Sequence, residues 1–169
     1  PKEPTGALVT QLFNEGRAAM AINGPWFLGE IESGVRFEVV PIPSVAPAGG
    51  QSKPFLTVEG ALLSAKTDRP REAADFARYL ALGEGARTRL IVGKQLVADE
   101  RIFEAGEIEI PESVLSFRAQ ALRAEPMPNE PLMRSVWEPA ARALRSVLRG
   151  GSDPREALAK AQLELEVIS

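Results

Sequence analysis

This 169-residue chain contains no cysteine and no histidine. Without cysteine it can form no disulfide, offers no thiolate nucleophile and supplies no sulfur ligand to a metal. Without histidine it lacks the commonest general base near neutral pH and the commonest metal ligand. A serine–histidine–aspartate triad is therefore excluded, whereas carboxylate catalysis stays open, because paired Asp and Glu suffice for glycoside hydrolysis. We expect neither a metal nor a cofactor.

Long apolar runs and a strong net charge are also missing. No uninterrupted apolar stretch approaches the length of about 18 residues that spans a bilayer. The net charge of −3 gives no broad attraction to nucleic acid or anionic lipid, so we expect no nucleic-acid partner. The first residue is Pro1, with neither an initiator methionine nor a signal peptide, and we expect a processed or excised piece of something longer.

Apolar periodicity and turn residues predict a helix-rich α/β chain with few strands. The predicted helices cover residues 5–17, 25–33, 68–82, 84–92, 112–123 and 132–148, and a last helix starts at 153–156. The predicted strands cover residues 18–22, 37–40 and 55–63. Asp153, Pro154 and Glu156 form the capping signature of the last helix.

The most informative motif is Asn23-Gly24-Pro25-Trp26, which follows the first predicted strand. Gly24 permits backbone angles that other residues avoid, and Pro25 suits the first turn of a helix. Ligands of open α/β sheets bind where strands end, so a flat aromatic ring there offers a stacking surface. Taken alone, the motif favours a core tryptophan beneath a tight turn.

Other blocks along the chain change that interpretation. In order they are LFNEGRAAMAINGPW, SKPF, EAADFARYL, EGARTRL and MPNEPLMRSVW. This ordered set resembles the C-terminal part of the maltose-binding-protein-like solute-binding proteins of carbohydrate ABC importers. The resemblance implies half of a two-lobe periplasmic-binding-protein type II fold and no enzymatic activity. It also implies a periplasmic or extracellular location, membrane-associated if the chain is fused or lipid-anchored.

The resemblance further implies how the chain is divided and what it binds. Residues 1–54 and 109–169 would belong to the C-terminal lobe, residues 65–108 to the N-terminal lobe, and residues 55–64 would cross between them. The expected ligand is maltose-like or a maltooligosaccharide. The expected partners are an ABC permease and the missing N-terminal half, or a swapped copy of this chain.

Two other classes of function stay open. One is a binding or regulatory module of this fold embedded in a larger protein, such as a permease fusion. The other is a hydrolase that uses paired carboxylates, although no Asp/Glu pair stands out in the sequence.

Six residues are candidate ligand contacts: Trp26, Trp137, Met127, Glu138, Glu59 and Arg142. Both tryptophans would stack on the C–H faces of a sugar, with a place in the core as the alternative. Met127 would adapt its shape to an irregular ligand, or simply pack within its loop.

The polar candidates also carry alternatives. Glu138 and Arg142 follow Trp137 on one predicted helix, where the resemblance implies contacts to sugar hydroxyls, and a solvated surface role is the alternative for Arg142. Maltose-binding proteins have an aromatic residue at the position of Glu138, which leaves the sugar undetermined. Glu59 interrupts an apolar stretch and either accepts hydrogen bonds from the ligand or belongs to a hinge. The acidic run over residues 100–112 predicts a solvated face.

Overall fold

The computed structural model describes residues 5–44, 50–106 and 108–168, and the prediction of a helix-rich chain is confirmed. Its α-helices are α1 (Gly6–Asn14), α2 (Pro70–Ala81), α3 (Gly83–Ile91), α4 (Arg101–Glu104), α5 (Glu112–Ala121), α6 (Met133–Leu148) and α7 (Pro154–Ile168), with a 3₁₀ helix at Pro25–Gly29. Two strands are β1 (Phe55–Leu56) and β2 (Glu125–Pro126). The chain divides into two compact units, Pro1–Glu125 and Pro126–Ser169.

Local sequence signals set both ends of α1. The hydroxyl oxygen of Thr5 accepts a hydrogen bond from the Leu8 N–H at 3.2 Å, which satisfies one free donor of the first turn. Gly16 ends the helix with φ of +67°, and the Arg17 N–H returns to the Leu12 carbonyl at 2.8 Å. The helix is therefore shorter than the predicted range of residues 5–17, and Gly16 acts as its stop.

The core of the first unit is small. Leu28, Leu90 and Val114 are fully buried, and they come from the 3₁₀ helix, α3 and α5. Partly buried apolar side chains surround them, among them Val39, Ile102 and Phe117. This core anchors the 3₁₀ helix against α5, so it also positions the residues that precede and follow Trp26.

The predicted strands form only in part. Residues 18–22 and 37–40 have no strand pairing, and of residues 55–63 only Phe55–Leu56 do. β1 pairs with β2, and the Glu125 N–H donates to the Pro54 carbonyl at 3.0 Å. A strand requires a neighbouring backbone to complete its hydrogen bonds, and among these three predicted segments only residues 55–63 have one, at Phe55–Leu56. The prediction of strands at residues 18–22 and 37–40 is therefore wrong for this structure.

The second unit contains α6 packed against α7. Small buried residues, Ala143 on α6 and Ala157 on α7, allow a close approach of side chains on these helices. The α6 helix continues through Pro139, although a proline inside a helix removes one backbone donor. Asp153 caps α7 as predicted, because its Oδ1 accepts from the N–H groups of Arg155 at 2.8 Å and Glu156 at 3.4 Å.

Candidate functional site

Trp26 lies on the surface of an anchored short helix. The next two residues, Phe27 and Leu28, are buried, whereas the Trp26 side chain is 59% exposed. The Phe27 ring packs against the Phe13 ring of α1 in an edge-to-face arrangement, with 5.5 Å between their centroids. The alternative of a core tryptophan is therefore wrong here, and a large aromatic surface stays open to solvent.

Hydrogen bonds from α1 hold the end of the same 3₁₀ helix. The Asn14 side-chain amide donates to the Glu30 carbonyl at 3.0 Å and accepts from the Glu32 N–H at 3.3 Å. The Thr10 hydroxyl donates to the Glu30 carboxylate at 2.5 Å. Together with the buried Phe27 and Leu28, these bonds fix the backbone that carries Trp26.

Gly24 has an ordinary backbone conformation. Its φ of −93° and ψ of 175° are extended angles that any residue adopts, and they are the angles favoured before a proline. Its N–H is bonded to the Asn23 side-chain oxygen at 2.9 Å. The sequence-based explanation of Gly24 by unusual backbone angles is therefore wrong.

The remaining candidates occupy different settings. Trp137 lies on α6 and is 52% exposed, so it is not a core residue either. Met127 is half-buried in the loop that precedes α6. Glu59 is exposed in the irregular segment after β1, so its carboxylate avoids the cost of burial that an apolar stretch would impose.

Glu138 and Arg142 are joined by ion pairs on α6. Arg142 Nη1 donates to Glu138 Oε1 at 3.1 Å, and Arg142 Nη2 donates to the Glu164 carboxylate of α7. Arg145 reaches the same Glu138 oxygen at 3.3 Å. The hydrogen bond to Glu164 raises the pKa of Arg142 most, and the charge of Glu164 and the hydrogen bond to Glu138 raise it further. Arg142 therefore links α6 to α7 instead of standing alone in solvent.

The structure brings some of the predicted residues together. Trp137, Glu138 and Arg142 lie within two turns of α6 in the second unit, and Met127 belongs to that unit as well. Trp26 and Glu59 belong to the first unit, and no hydrogen bond joins them among the described residues. The sequence analysis missed Glu164, although its spacing of four residues from Lys160 indicates a charged face of α7.

Asp99 is the buried carboxylate that sequence analysis missed. The predicted solvated face is confirmed for Glu100, Glu104, Glu109 and Glu112, which are exposed, while Glu107 lies outside the described residues. Asp99 directly precedes this run and is only 5% exposed. No sequence signal distinguishes it from its acidic neighbours, because its burial depends on a glycine N–H and an arginine brought together by the fold.

Two open depressions lie on the described surface. One of about 340 Å³ lies beside α3 between Glu84 and Glu109, and one of about 440 Å³ lies along α7 between Lys160 and Val167. Neither is lined by Trp26 or Trp137. Within residues 5–44, 50–106 and 108–168, no three acidic side chains form a metal-binding group, and no helix is long and apolar enough to cross a membrane.

Comparison with known proteins gives consistent matches along the chain. Residues 3–94 match the family described as bacterial extracellular solute-binding protein. The galactooligosaccharide-binding protein of Bacillus subtilis (strain 168) is 30% identical over 91% of this chain and 37% of its own length. The maltotriose-binding protein of Pyrococcus abyssi is 28% identical over 91% of this chain and 35% of its own length.

A solved structure extends the similarity to the fold. The crystal structure of a cyclo/maltodextrin-binding protein complexed with maltotetraose superimposes with a TM-score of 0.74 and 29% sequence identity. The match covers 98% of this chain and 43% of that protein. The chain therefore adopts part of a solute-binding-protein fold, and it spans little more than a third of the length of the curated relatives it matches.

Proposed function

This chain belongs to the family of bacterial extracellular solute-binding proteins, and on that premise we propose that it forms part of a carbohydrate-binding protein of an ABC importer. The ligand is a neutral oligosaccharide of the maltooligosaccharide type. The relatives are named for binding galactooligosaccharide and maltotriose, and the similar crystal structure contains maltotetraose. The proposed location is extracellular or periplasmic, in keeping with the family.

One observation carries the proposal: the exposed indole of Trp26 stands on a backbone fixed by the core. A sugar ring has polar edges and apolar C–H faces, so a flat aromatic surface binds it by burying apolar area. A rigid backbone beneath the ring makes this binding stronger, because the protein loses little conformational freedom when the ligand binds.

The other five candidates enter the proposal with different roles. Trp137 adds a second aromatic surface, and Met127 and Glu59 add an adaptable apolar contact and a hydrogen-bond acceptor. Glu138 and Arg142 contribute polar groups in the second and third turns of α6 that their ion pairs already orient. No catalytic residue is proposed, since the named relatives are binding proteins.

The proposal also includes an interaction with further protein. We assign residues 1–54 and 109–169 to the C-terminal lobe, residues 65–108 to the N-terminal lobe and residues 55–64 to a crossing between lobes. Segments of the first unit without helix or strand expose apolar side chains, such as Met20 at 87% and Leu62 at 95%. Exposed apolar patches of this kind mark interfaces, and the complementary half or a swapped copy of the chain would cover them. An ABC permease is the proposed transport partner.

Calorimetric titration with maltotetraose tests the function, using the full gene product that carries these residues. The Trp26→Ala variant should weaken binding by about 1–3 kcal/mol, or roughly 5- to 150-fold, because a buried aromatic contact is lost. Phe76→Ala removes an aromatic side chain that is also exposed, and it should leave the affinity unchanged. An unchanged affinity in Trp26→Ala, or no binding by the unaltered protein, would overturn the proposal.

A further inference from the structure

Position 24 requires a glycine for a reason other than backbone freedom. Its φ and ψ are accessible to every residue, so the conformation alone would accept alanine or serine. Glycine at such a position lowers stability through the greater freedom of the unfolded chain. What the site requires must therefore be sought in the space around the α-carbon.

That space is filled by the indole of Trp26. A Cβ placed on Gly24 would stand 2.6 Å from Cε3 of Trp26 and nearer still to Cζ3 and Cη2. Carbon atoms pack at about 3.5–4.0 Å, so even a methyl group cannot share this position with the ring. By contrast, a Cβ on Gly34 of the same unit would meet nothing within 4 Å.

We propose that Gly24 is a positioning residue for Trp26: its missing side chain leaves the space in which the indole rests, and so sets the orientation of the aromatic surface that binds sugar. The sugar-binding part of this inference rests on the proposed function. The orienting effect on the ring depends only on the contact between Gly24 and Trp26.

The surrounding backbone determines what yields when a methyl group is added. The Gly24 N–H is bonded to Asn23, and its carbonyl accepts from the Phe27 N–H at 3.1 Å. Pro25, which directly follows Gly24, has its φ fixed by its own ring. The indole is instead the free end of an exposed side chain with two rotatable bonds. A substitution at Gly24 therefore displaces the ring and leaves the backbone in place.

A displaced ring binds sugar less well. In the unaltered chain the backbone and the indole are already in contact, so part of the ring's freedom is removed before the ligand arrives. If the ring must be reoriented during binding, the free-energy cost of immobilising it lowers the affinity for the sugar. This cost corresponds to an affinity loss of about 2- to 12-fold for one side chain.

The first experiment follows Trp26 without any sugar. The chain contains two tryptophans, so the Trp137→Phe background leaves Trp26 as the single indole. In that background Gly24→Ala should change the near-ultraviolet circular dichroism and increase acrylamide quenching of Trp26 fluorescence, while Gly34→Ala should change neither. Unchanged signals in Gly24→Ala would overturn the proposal, whatever the protein binds.

The second experiment measures maltotetraose affinity with Trp137 retained, in the full gene product. Gly24→Ala should bind about 2- to 12-fold more weakly, and Gly34→Ala should bind as the unaltered protein does. An altered indole signal with unaltered affinity would overturn the positioning role. An altered indole signal with no binding by any variant would instead overturn the proposed function, while the contact between Gly24 and Trp26 would stand.

A double variant separates the ring from the backbone. In the Trp26→Ala background no indole occupies the space, so Gly24→Ala should leave the residual affinity unchanged and should raise the melting temperature slightly, because alanine restricts the unfolded chain. If Gly24→Ala lowers the melting temperature equally with and without the indole, the glycine serves the backbone and the proposal is wrong.

Discussion

The carboxylate of Asp99 accepts two hydrogen bonds from the guanidinium of Arg101, at 2.7 Å and 2.9 Å. It also accepts the Gly83 N–H at 3.0 Å, at the junction where α2 ends and α3 begins. Gly83 has φ of +56°, a conformation that favours glycine. A single buried side chain therefore joins this junction to α4.

This arrangement predicts a loss of stability in acid. The hydrogen bonds from Arg101, and then from Gly83, lower the pKa of Asp99 from 3.8 to about 2. Since the folded state holds the charged form more strongly, the stabilisation is complete above about pH 4 and is lost as the pH falls towards 2. Urea unfolding between pH 2 and about 6 should show this slope, and Asp99→Asn should flatten it. An equal slope in both proteins would contradict the prediction.

Gly85 is predicted to reject alanine although it lies inside a helix. A Cβ there would stand 2.8 Å from the carbonyl carbon of Tyr79 and nearer still to its oxygen. The added methyl group would therefore overlap the backbone of Tyr79. Alanine normally favours a helix over glycine by about 1 kcal/mol, but overpacking costs about 1–3 kcal/mol and should prevail. Gly85→Ala should lower the free energy of unfolding, whereas Gly34→Ala should not. Greater stability in Gly85→Ala would show that α2 and α3 separate easily.

Arg142 and Glu164 are predicted to stabilise the packing of α6 on α7 together. Each of Arg142→Gln and Glu164→Gln should lower the melting temperature, and the double variant should lower it by less than the sum of the two changes. In about 1 M salt the Debye length falls to about 3 Å, so the coupling should shrink there. Arg155→Gln serves as the control, because that residue is exposed on α7. Additive losses would indicate that the ion pair contributes nothing.

The cap of α7 predicts a clear difference between two substitutions of Asp153. Alanine removes the oxygen that accepts from Arg155 and Glu156, and it should cost about 0.5–2 kcal/mol of stability. Asparagine keeps an acceptor at the same position and should cost less. Urea unfolding of both variants provides the measurement. Equal losses would mean that charge at the helix end, rather than the hydrogen bond, gives the stability.

The exposed apolar segments predict association of the isolated 169-residue chain. Met20 and Leu62 lie almost fully in solvent, and burial against another chain would remove this apolar area from water. Light scattering should therefore detect an oligomer, and replacing both residues with serine should shift it towards monomer. Leu148→Ser changes an exposed apolar residue of the second unit and serves as the control. A compact monomer with cooperative thermal unfolding would contradict the prediction.

Much of the helical structure could be predicted because its signals are local. Thr5 and Gly16 delimit α1, and Asp153 caps α7 through hydrogen bonds that span three residues or fewer. The family could be predicted too, since ordered blocks such as those ending in Trp26 and Trp137 survive in the sequence whatever part of the fold is present. The strands at residues 18–22 and 37–40 could not, because strand pairing depends on a neighbouring backbone that a short apolar segment does not specify.

By itself, then, the sequence determined where most helices begin and end, and which family the chain belongs to. Only the tertiary structure decided that both tryptophans are exposed, that Asp99 is buried among exposed glutamates, and that Arg142 is held by Glu164. It also decided that the space beside the α-carbon of Gly24 is filled by the Trp26 indole. Each of these outcomes depends on which atoms occupy the space around a side chain, and that space is defined by residues distant in sequence or by a ring orientation that residue identity does not encode.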